Sequence, residues 1–396
     1  MVKRLTFLCC VILSSFGWGQ ENLTIMYYNI LNYPDSSPDR CDTLRKIVQY
    51  VKPDLLVVNE LHTEAGADLI LTKSLNQFGI TSYQRAAFID GNDTDNMLFY
   101  NSDKVGLQSQ TQIETTLRDI SEYIVYYKSP GLGPLSDTIY LNVYSAHLKA
   151  GAGDFAQRAE ECQVLKYHLN TRTNIENAIV GGDFNFYSGH ESGCLILRET
   201  GAVKLYDPLD EIGDWSGNFS YADLHTQSTR TSSFGSGSGG GMDDRFDLIF
   251  VSDDLFDFSN GARYVEDSYW ALGQDGNRFN QSVISPANFS VPDSVSESLY
   301  YMSDHLPVLM EIEMDYTTGL KEKETPTFDF TYDAYQQLFR VSEPLNYKLS
   351  VFSLDGKEVF YKESDEQEFT LQLEKGVYII HLRSGERNCS KKISLL

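Results

Sequence analysis

Residues 179–189 read IVGGDFNFYSG, and the chain can be read outward from them. Ala178, Ile179 and Val180 have the apolar continuity of a short buried strand, and Gly181 and Gly182 then let the backbone turn sharply. Asp183 and Asn185 therefore emerge together at a strand's carboxyl end. An acid and an amide placed so close at the mouth of a sheet suit a hydrated divalent cation, or a water to be activated beside a phosphate. Standing alone, G-D-F-N would equally make an Asx turn. The choice depends on companions elsewhere in the chain.

Upstream, residues 23–31 (LTIMYYNIL) alternate as a strand with Asn29 near its end. Pro34 and Pro38 break the chain, Leu44, Ile47, Val48 and Val51 mark one face of a helix, and Lys52 and Pro53 stop it. Residues 54–60 (DLLVVNE) follow as a buried strand that ends in Glu60. A carboxylate directly after Leu and Val has lost bulk water and needs a cation or a donor; capping a helix near His62 is the plainer alternative. Residues 139–148 alternate with period two and deliver His147 to a glycine-broken loop, and a lone histidine there has an ordinary structural reading. After Asp154, the residues Phe155, Ala159, Cys162, Leu165 and Leu169 mark an amphipathic helix that returns to Ala178. Each half is thus strand, helix, strand.

Downstream, residues 226–241 are rich in Thr, Ser and Gly and read as a flexible loop without Walker spacing. Arg230 within it reads as a surface arginine or a phosphate contact. In FDLIFVS (246–252) Asp247 sits among apolar neighbours and needs a partner, which a histidine would supply. Residues 264–298 have little periodicity and read as a surface excursion. Asp304 and His305 precede a last apolar strand; as neighbours they point in different directions, one toward a metal and one toward a phosphate.

At 396 residues the chain can hold one large core and a small second domain. Lys3 and Arg4 precede an uncharged apolar run to Trp18, with small residues before Gln20, the pattern of a cleaved signal peptide over 1–19 on an exported protein. No later segment is long and apolar enough to span a bilayer. Removing Lys3 and Arg4 takes the formal net charge from -24 to -26, which disfavours charge-driven binding of polyanions without compensating cations. Cys41, Cys162, Cys194 and Cys389 form no disulfide framework and have no zinc-ligand spacing.

The motifs YYNILNY (27–33), VVNEL (57–61), YSAHLKAG (144–151), GGDFN (181–185), FDLIFVS (246–252) and SDHLPV (303–308), in this order, resemble the endonuclease/exonuclease/phosphatase superfamily. That resemblance implies a four-layer α/β sandwich of two packed mixed β-sheets, like deoxyribonuclease I, over residues 20–316. It also implies a site. Asn29 and Glu60 would hold Mg²⁺ or Mn²⁺ (or Ca²⁺), with Asp304 as a further acidic ligand. His305, oriented by Asp247, would sit against the scissile phosphate. Asp183 would align or deprotonate the attacking water, Asn185 would hold that water or a phosphate oxygen, and His147 would donate to a phosphate oxygen or the leaving group. The acidic partner of His147 is open, with Asp95 and Asn96 near the place.

After a linker at 317–326, residues 327–396 show short alternating strands and read as a small β-sandwich. GVYIIHL followed by KKI resembles the carboxyl-terminal sorting domains of the type IX secretion system of Bacteroidetes; a carbohydrate-binding or adhesion module is the alternative. The whole reads as a secreted or cell-surface, monomeric, metal-dependent phosphodiesterase acting on DNA or RNA. A sphingomyelinase-like phosphoesterase and a non-catalytic binding protein on the same fold are the alternatives, and no basic, aromatic stripe announces a nucleic-acid groove.

Overall fold

A computed structural model describes residues 20–35, 37–128, 138–172, 175–315, 330–334, 336–341, 346–354, 356–385 and 387–395. The expected signal peptide and linker lie outside these residues. The chain divides into two compact units, Met1–Thr318 and Gly319–Leu396.

The strands of the first unit are β1 (Gln20–Tyr33), β2 (Leu55–Leu61), β3 (Tyr83–Arg85), β4 (Asp95–Asn101), β5 (Val105–Ile113), β6 (Ile120–Tyr127), β7 (Tyr140–His147), β8 (Ala178–Asp183), β9 (Leu205–Tyr206), β10 (Asp247–Ser252), β11 (Ala262–Tyr264), β12 (Trp270–Ala271) and β13 (Val308–Asp315). Its α-helices are α1 (Arg40–Val51), α2 (Glu64–Leu69), α3 (Phe155–Thr171), α4 (Ser192–Glu199) and α5 (Asp293–Met302). One seven-stranded sheet has the order β11-β13-β1-β2-β4-β3 with β12 also on β13; a six-stranded sheet has the order β5-β6-β7-β8-β10-β9. Each holds a single parallel pair, β1 with β2 and β7 with β8. A parallel pair requires a long crossover, which α1 and α3 provide.

Leu44 and Ile47 of α1 and Leu299 of α5 pack with the first sheet, while Tyr123, Val143, Ile179 and Ile249 of the second sheet join the same core. Cys162, Leu165 and Leu197 of α3 and α4 cover the second sheet's other face with Tyr144, Val180 and Phe250. These are the four layers. The buried face of α3 is more polar than its periodicity predicts: Arg158, Glu161 and Lys166 are buried on it, whereas Phe155 is exposed. Arg158 is neutralised there by Glu191, at 2.8 Å.

The sheets are in direct contact at the glycine pair. The Tyr27 hydroxyl crosses from β1 and donates to the carbonyls of Tyr144 (3.0 Å) and Ile179 (3.4 Å). A Cβ on Gly181 would lie 2.6 Å from the Tyr27 ring, and one on Gly182, at φ 133°, would lie 2.0 Å from the Ala146 carbonyl oxygen. The glycines therefore do not turn the chain. They lie inside β8, which runs on to Asp183; Gly181 makes room for the Tyr27 ring of the facing sheet and Gly182 for the Ala146 carbonyl of neighbouring β7.

Two other expectations change. Residues 226–241 are tied down by Thr229 N–H to Asp304 O (3.0 Å), Ser228 Oγ to Ser238 O (2.8 Å) and Ser238 N–H to the Asp304 carboxylate (2.6 Å). The supposed excursion at 264–298 contains β12 and the start of α5, and buries Leu272, Val283 and Asn288. In the second unit the antiparallel strands are β14 (Phe330–Asp333), β15 (Leu338–Val341), β16 (Tyr347–Ser353), β17 (Glu358–Ser364), β18 (Glu368–Thr370), β19 (Gly376–Ser384) and β20 (Arg387–Leu395). They form sheets β14-β15-β18 and β17-β16-β19-β20 around Phe339, Leu349 and Ile380.

Gly182→Ala combines an unfavourable φ with a backbone clash, so we expect a loss of about 2–4 kcal/mol. Urea unfolding of the purified protein measures it; a loss within about 0.5 kcal/mol would show that β7 and β8 can shift apart to admit a methyl group.

Candidate active site

The carboxyl ends of both parallel pairs point to one edge, where open α/β sheets ordinarily place ligands. β1 brings Asn29 there, β2 brings Glu60, β7 brings His147 and β8 brings Asp183. β10 and β13 run antiparallel to their neighbours, so Asp247 at the start of one and His305 just before the other reach the same edge. Asp183 and Asp247 are direct register partners, as are His147 and Asp183.

Asp183 is the centre. Its Oδ2 accepts from Asn29 Nδ2 at 3.0 Å and lies 3.5 Å from His147 Nε2 and 3.6 Å from His305 Nε2. Its Oδ1 accepts from the Asn185 backbone N–H at 3.0 Å. Burial pushes the Asp183 carboxyl up to about 7; His305 opposes this, and the charges of Asp247 and Glu60 add to it. Glu60, at φ 61°, accepts from Asn29 Nδ2 (2.9 Å) and from the Asn32 N–H (2.9 Å). Burial also raises its pKa.

His305 Nδ1 lies 2.7 Å from Asp247 Oδ2, which also accepts from the Thr226 hydroxyl at 2.7 Å. The two residues expected to pair are therefore within hydrogen-bond distance. Burial opposes a charge on His305, but Asp247 and Asp183 outweigh it and hold its pKa well above the usual value. Gln227 Nε2 is 2.7 Å from His305 Nε2 and 3.3 Å from Asp304 Oδ2. As placed, that amide donates to a neutral ring; a protonated ring would need the amide's oxygen instead. His147 is the opposite case: burial, then the positive charges of Arg118 and His305, hold its pKa well below the usual value. Its acidic neighbours are Asp183 and Glu60, the latter at 3.7 Å, while Asp95 instead accepts from the Gly91 N–H. Asn96 braces the sheets by accepting from Asn59 at 2.6 Å and donating to the Ser145 carbonyl.

The acidic and imidazole groups form two close clusters among the described residues, Glu60 with His147 and Asp183, and Asp183 with Asp247 and His305. Asp304 belongs to neither. Its Oδ2 accepts from the Ser238 N–H, and its buried Oδ1 has no partner among the described residues. Asn29 presents its amide nitrogen, not its oxygen, to Glu60 and Asp183; its oxygen accepts from the Leu31 N–H at 3.0 Å. Asn185 donates to the Leu148 carbonyl at 3.2 Å. Arg230 is not a surface arginine: it is buried, with its guanidinium donating to the Tyr300 (2.8 Å) and Phe234 (2.7 Å) carbonyls. Sequence reasoning missed Thr226 and Gln227. Their one signal was a polar pair opening a segment without periodicity.

Two packed mixed sheets with acid, amide and imidazole groups gathered at one edge define the deoxyribonuclease I-like class. The chain belongs to the Endonuclease/Exonuclease/phosphatase family, whose profile matches residues 26–305. Residues 335–395 match the profile of the secretion system C-terminal sorting domain. Among solved structures, D. rerio TDP2 complexed with single strand DNA product is similar at a TM-score of 0.50 and 13% identity, over 74% of this chain and 98% of that one. An endonuclease/exonuclease/phosphatase family protein from Bacteroides thetaiotaomicron is similar at 0.47 and 20% identity, over 75% and 99%. The human Nocturnin catalytic domain with bound sulfate is similar at 0.47 and 16%, over 74% and 94%. No curated protein matches the chain.

Because the folded pKa of Asp183, about 7, lies above its ordinary 3.8, ionising it opposes folding. Its contribution is complete below pH ~4 and is lost as pH rises through ~7. Thermal unfolding in EDTA should show the melting temperature falling between pH ~5 and ~8, and Asp183→Asn should flatten that fall. An identical slope in the variant would contradict the assigned burial effect.

Proposed function

We propose that the protein is an exported, metal-dependent phosphodiesterase, most specifically an endonuclease that hydrolyses DNA or RNA by in-line attack of an activated water. The observation that carries this reading is the convergence of Asn29, His147 and His305 on the single carboxylate of Asp183, at 3.0, 3.5 and 3.6 Å. A carboxylate with a pKa raised toward neutrality is matched to taking a proton from water. His305, oriented by Asp247, and neutral His147 present N–H groups to the non-bridging and leaving oxygens of a phosphate. Asn185 fixes the Asp183 side chain through its backbone N–H, and its side-chain oxygen would hold the water.

The donor set suits a hard divalent cation. Glu60 and Asp304 offer carboxylate oxygens, one of them the unpartnered Oδ1 of Asp304, and burial leaves the surrounding acids short of positive charge. Glu60 and Asp304 would hold Mg²⁺ or Mn²⁺, with Asn29 beside them. When bound, such an ion polarises the phosphate and lowers the pKa of a water. The nucleic-acid substrate is supported by the fold shared with D. rerio TDP2, which is seen with a single strand DNA product. Export through the type IX route is supported by the sorting-domain match. No helix among the described residues is long and apolar enough to cross a membrane.

Purified mature protein should nick plasmid DNA or cleave RNA with Mg²⁺ or Mn²⁺ and stop in EDTA, leaving sphingomyelin intact. Asp183→Asn and His305→Asn should each lower kcat by about 10²- to 10⁴-fold without loss of fold by circular dichroism. Retained turnover in either variant would refute the assigned roles, and cleavage of the lipid alone would refute the nuclease reading. In a cell with a type IX system, removing 327–396 should keep the protein from the surface; unchanged surface delivery would argue against a sorting tail.

A further inference from the structure

A cavity of about 350 Å³, lined among others by Leu31, Arg40, Arg230, Phe234, Ser236 and Tyr301, lies beside the catalytic edge. Gly237 separates the two: a Cβ there would be 2.7 Å from Arg230 Nη1 and 3.1 Å from Asp304 Cβ. Leu31 connects them from the other side, since its N–H binds Asn29.

Two guanidinium groups face this cavity in a chain of strongly acidic composition. Arg40 donates to the carbonyls of Ile30 (3.1 Å), Leu31 (2.7 Å) and Met302 (2.8 Å), and Arg230 to those of Tyr300 and Phe234. Carbonyls fix a guanidinium but do not neutralise it, and neither arginine lies within ion-pair distance of a described carboxylate. Arg230 is buried and Arg40 half-buried; Asp304 acts on the first and Asp35 on the second from beyond contact distance, so neither guanidinium has a paired carboxylate and an anion can complete the site. Asp35 and Asp39 also line the cavity, and Asp35 lies 3.1 Å from His62. At the mouth, half-exposed Phe234 and Tyr301 pack edge to face with centroids 6.0 Å apart; Arg230 lies over the Phe234 ring at 5.0 Å and Tyr300 stacks on it at 6.4 Å, and the exposed half of each ring is what a base can meet.

We propose that this cavity binds the phosphate adjacent to the scissile one in a single-stranded polynucleotide, with the intervening base stacked on Phe234 and Tyr301. The inference rests on the phosphodiesterase reading above and narrows it. Preorganised guanidinium groups hold a phosphate, and aromatic faces take any base, so the pocket selects polymer over a lone phosphodiester without selecting sequence. A phosphocholine lipid has one phosphate and a cationic head, which the arginines repel.

Ser236, at φ 67°, accepts Asp or Asn without new backbone strain, so Ser236→Asp places a carboxylate in the cavity and Ser236→Asn is its neutral control. For hydrolysis of a single-stranded 12-mer, Ser236→Asp should raise KM about tenfold and Phe234→Ala about fivefold, with Ser236→Asn unchanged. KM for bis(p-nitrophenyl) phosphate should move less than twofold in all three. Hydrolysis of the 12-mer with KM within twofold of wild type in Ser236→Asp would overturn the pocket and leave the nuclease reading standing. A KM lowered by Ser236→Asp for p-nitrophenylphosphorylcholine, with no turnover of the 12-mer, would overturn both. If the wild type hydrolyses neither, the nuclease reading fails, and calorimetric titration of pyrophosphate in EDTA decides the pocket separately: binding lost in Ser236→Asp and kept in Ser236→Asn supports it, and equal binding or none overturns it.

Discussion

The buried carboxylate of Asp183 is the constraint on which the rest of the catalytic edge depends. Its neighbours Glu60 and Asp247 are also carboxylates, and the three cannot all be ionised in a low-dielectric site without help. The protein supplies part of that help as Asn29 N–H, the Asn185 backbone N–H and His305. The remainder is left open, and a site left short of positive charge is one that a cation and a phosphate can complete together. On the proposed function, stability is given up locally to obtain reactivity, as is common at catalytic centres.

That concentration of charge is held by a dry and inflexible platform. Tyr27 hydrogen-bonds across to both strands of the β7 and β8 pair, and Gly181 and Gly182 admit its ring and the Ala146 carbonyl. Because each sheet has one parallel pair, both sets of carboxyl ends are delivered to the same edge, and neighbouring antiparallel strands add Asp247 and His305 by their starts. Side chains on strand ends are better fixed than side chains on loops, which is what a site working at 3 to 4 Å separations demands.

Asn29, Glu60, His147 and Asp183 were legible in the sequence because each closes an apolar or alternating run, so its position along the strand predicted its place at the edge. Asp247 was legible as a charge in need of a partner. Fold-level geometry was not. No periodicity distinguishes a glycine pair that turns from one that admits a facing tyrosine ring, and the two alternatives differ only in what lies on the opposite sheet. The direction of the Asn29 amide depends on the Leu31 N–H, a contact that a strand pattern does not encode. Thr226 and Gln227, and the burial of Arg230, stayed hidden because their segment has the composition of a mobile linker yet is held by backbone bonds to Asp304 and by carbonyls that surround Arg230.

The acidity of the chain and a polyanionic substrate are reconcilable through the placement of charge. Long-range repulsion from a net charge of -24 is screened within about 8 Å at physiological salt, so contact energies, not the overall field, decide binding. Arg40 and Arg230 are fixed before any ligand arrives, and a preorganised guanidinium loses little conformational freedom on meeting a phosphate. Two of the chain's 32 basic residues are thus fixed beside the cluster around Asp183, where on the proposed reading a phosphate chain would meet both at once, while the acidic exterior discourages non-specific attachment elsewhere on the surface.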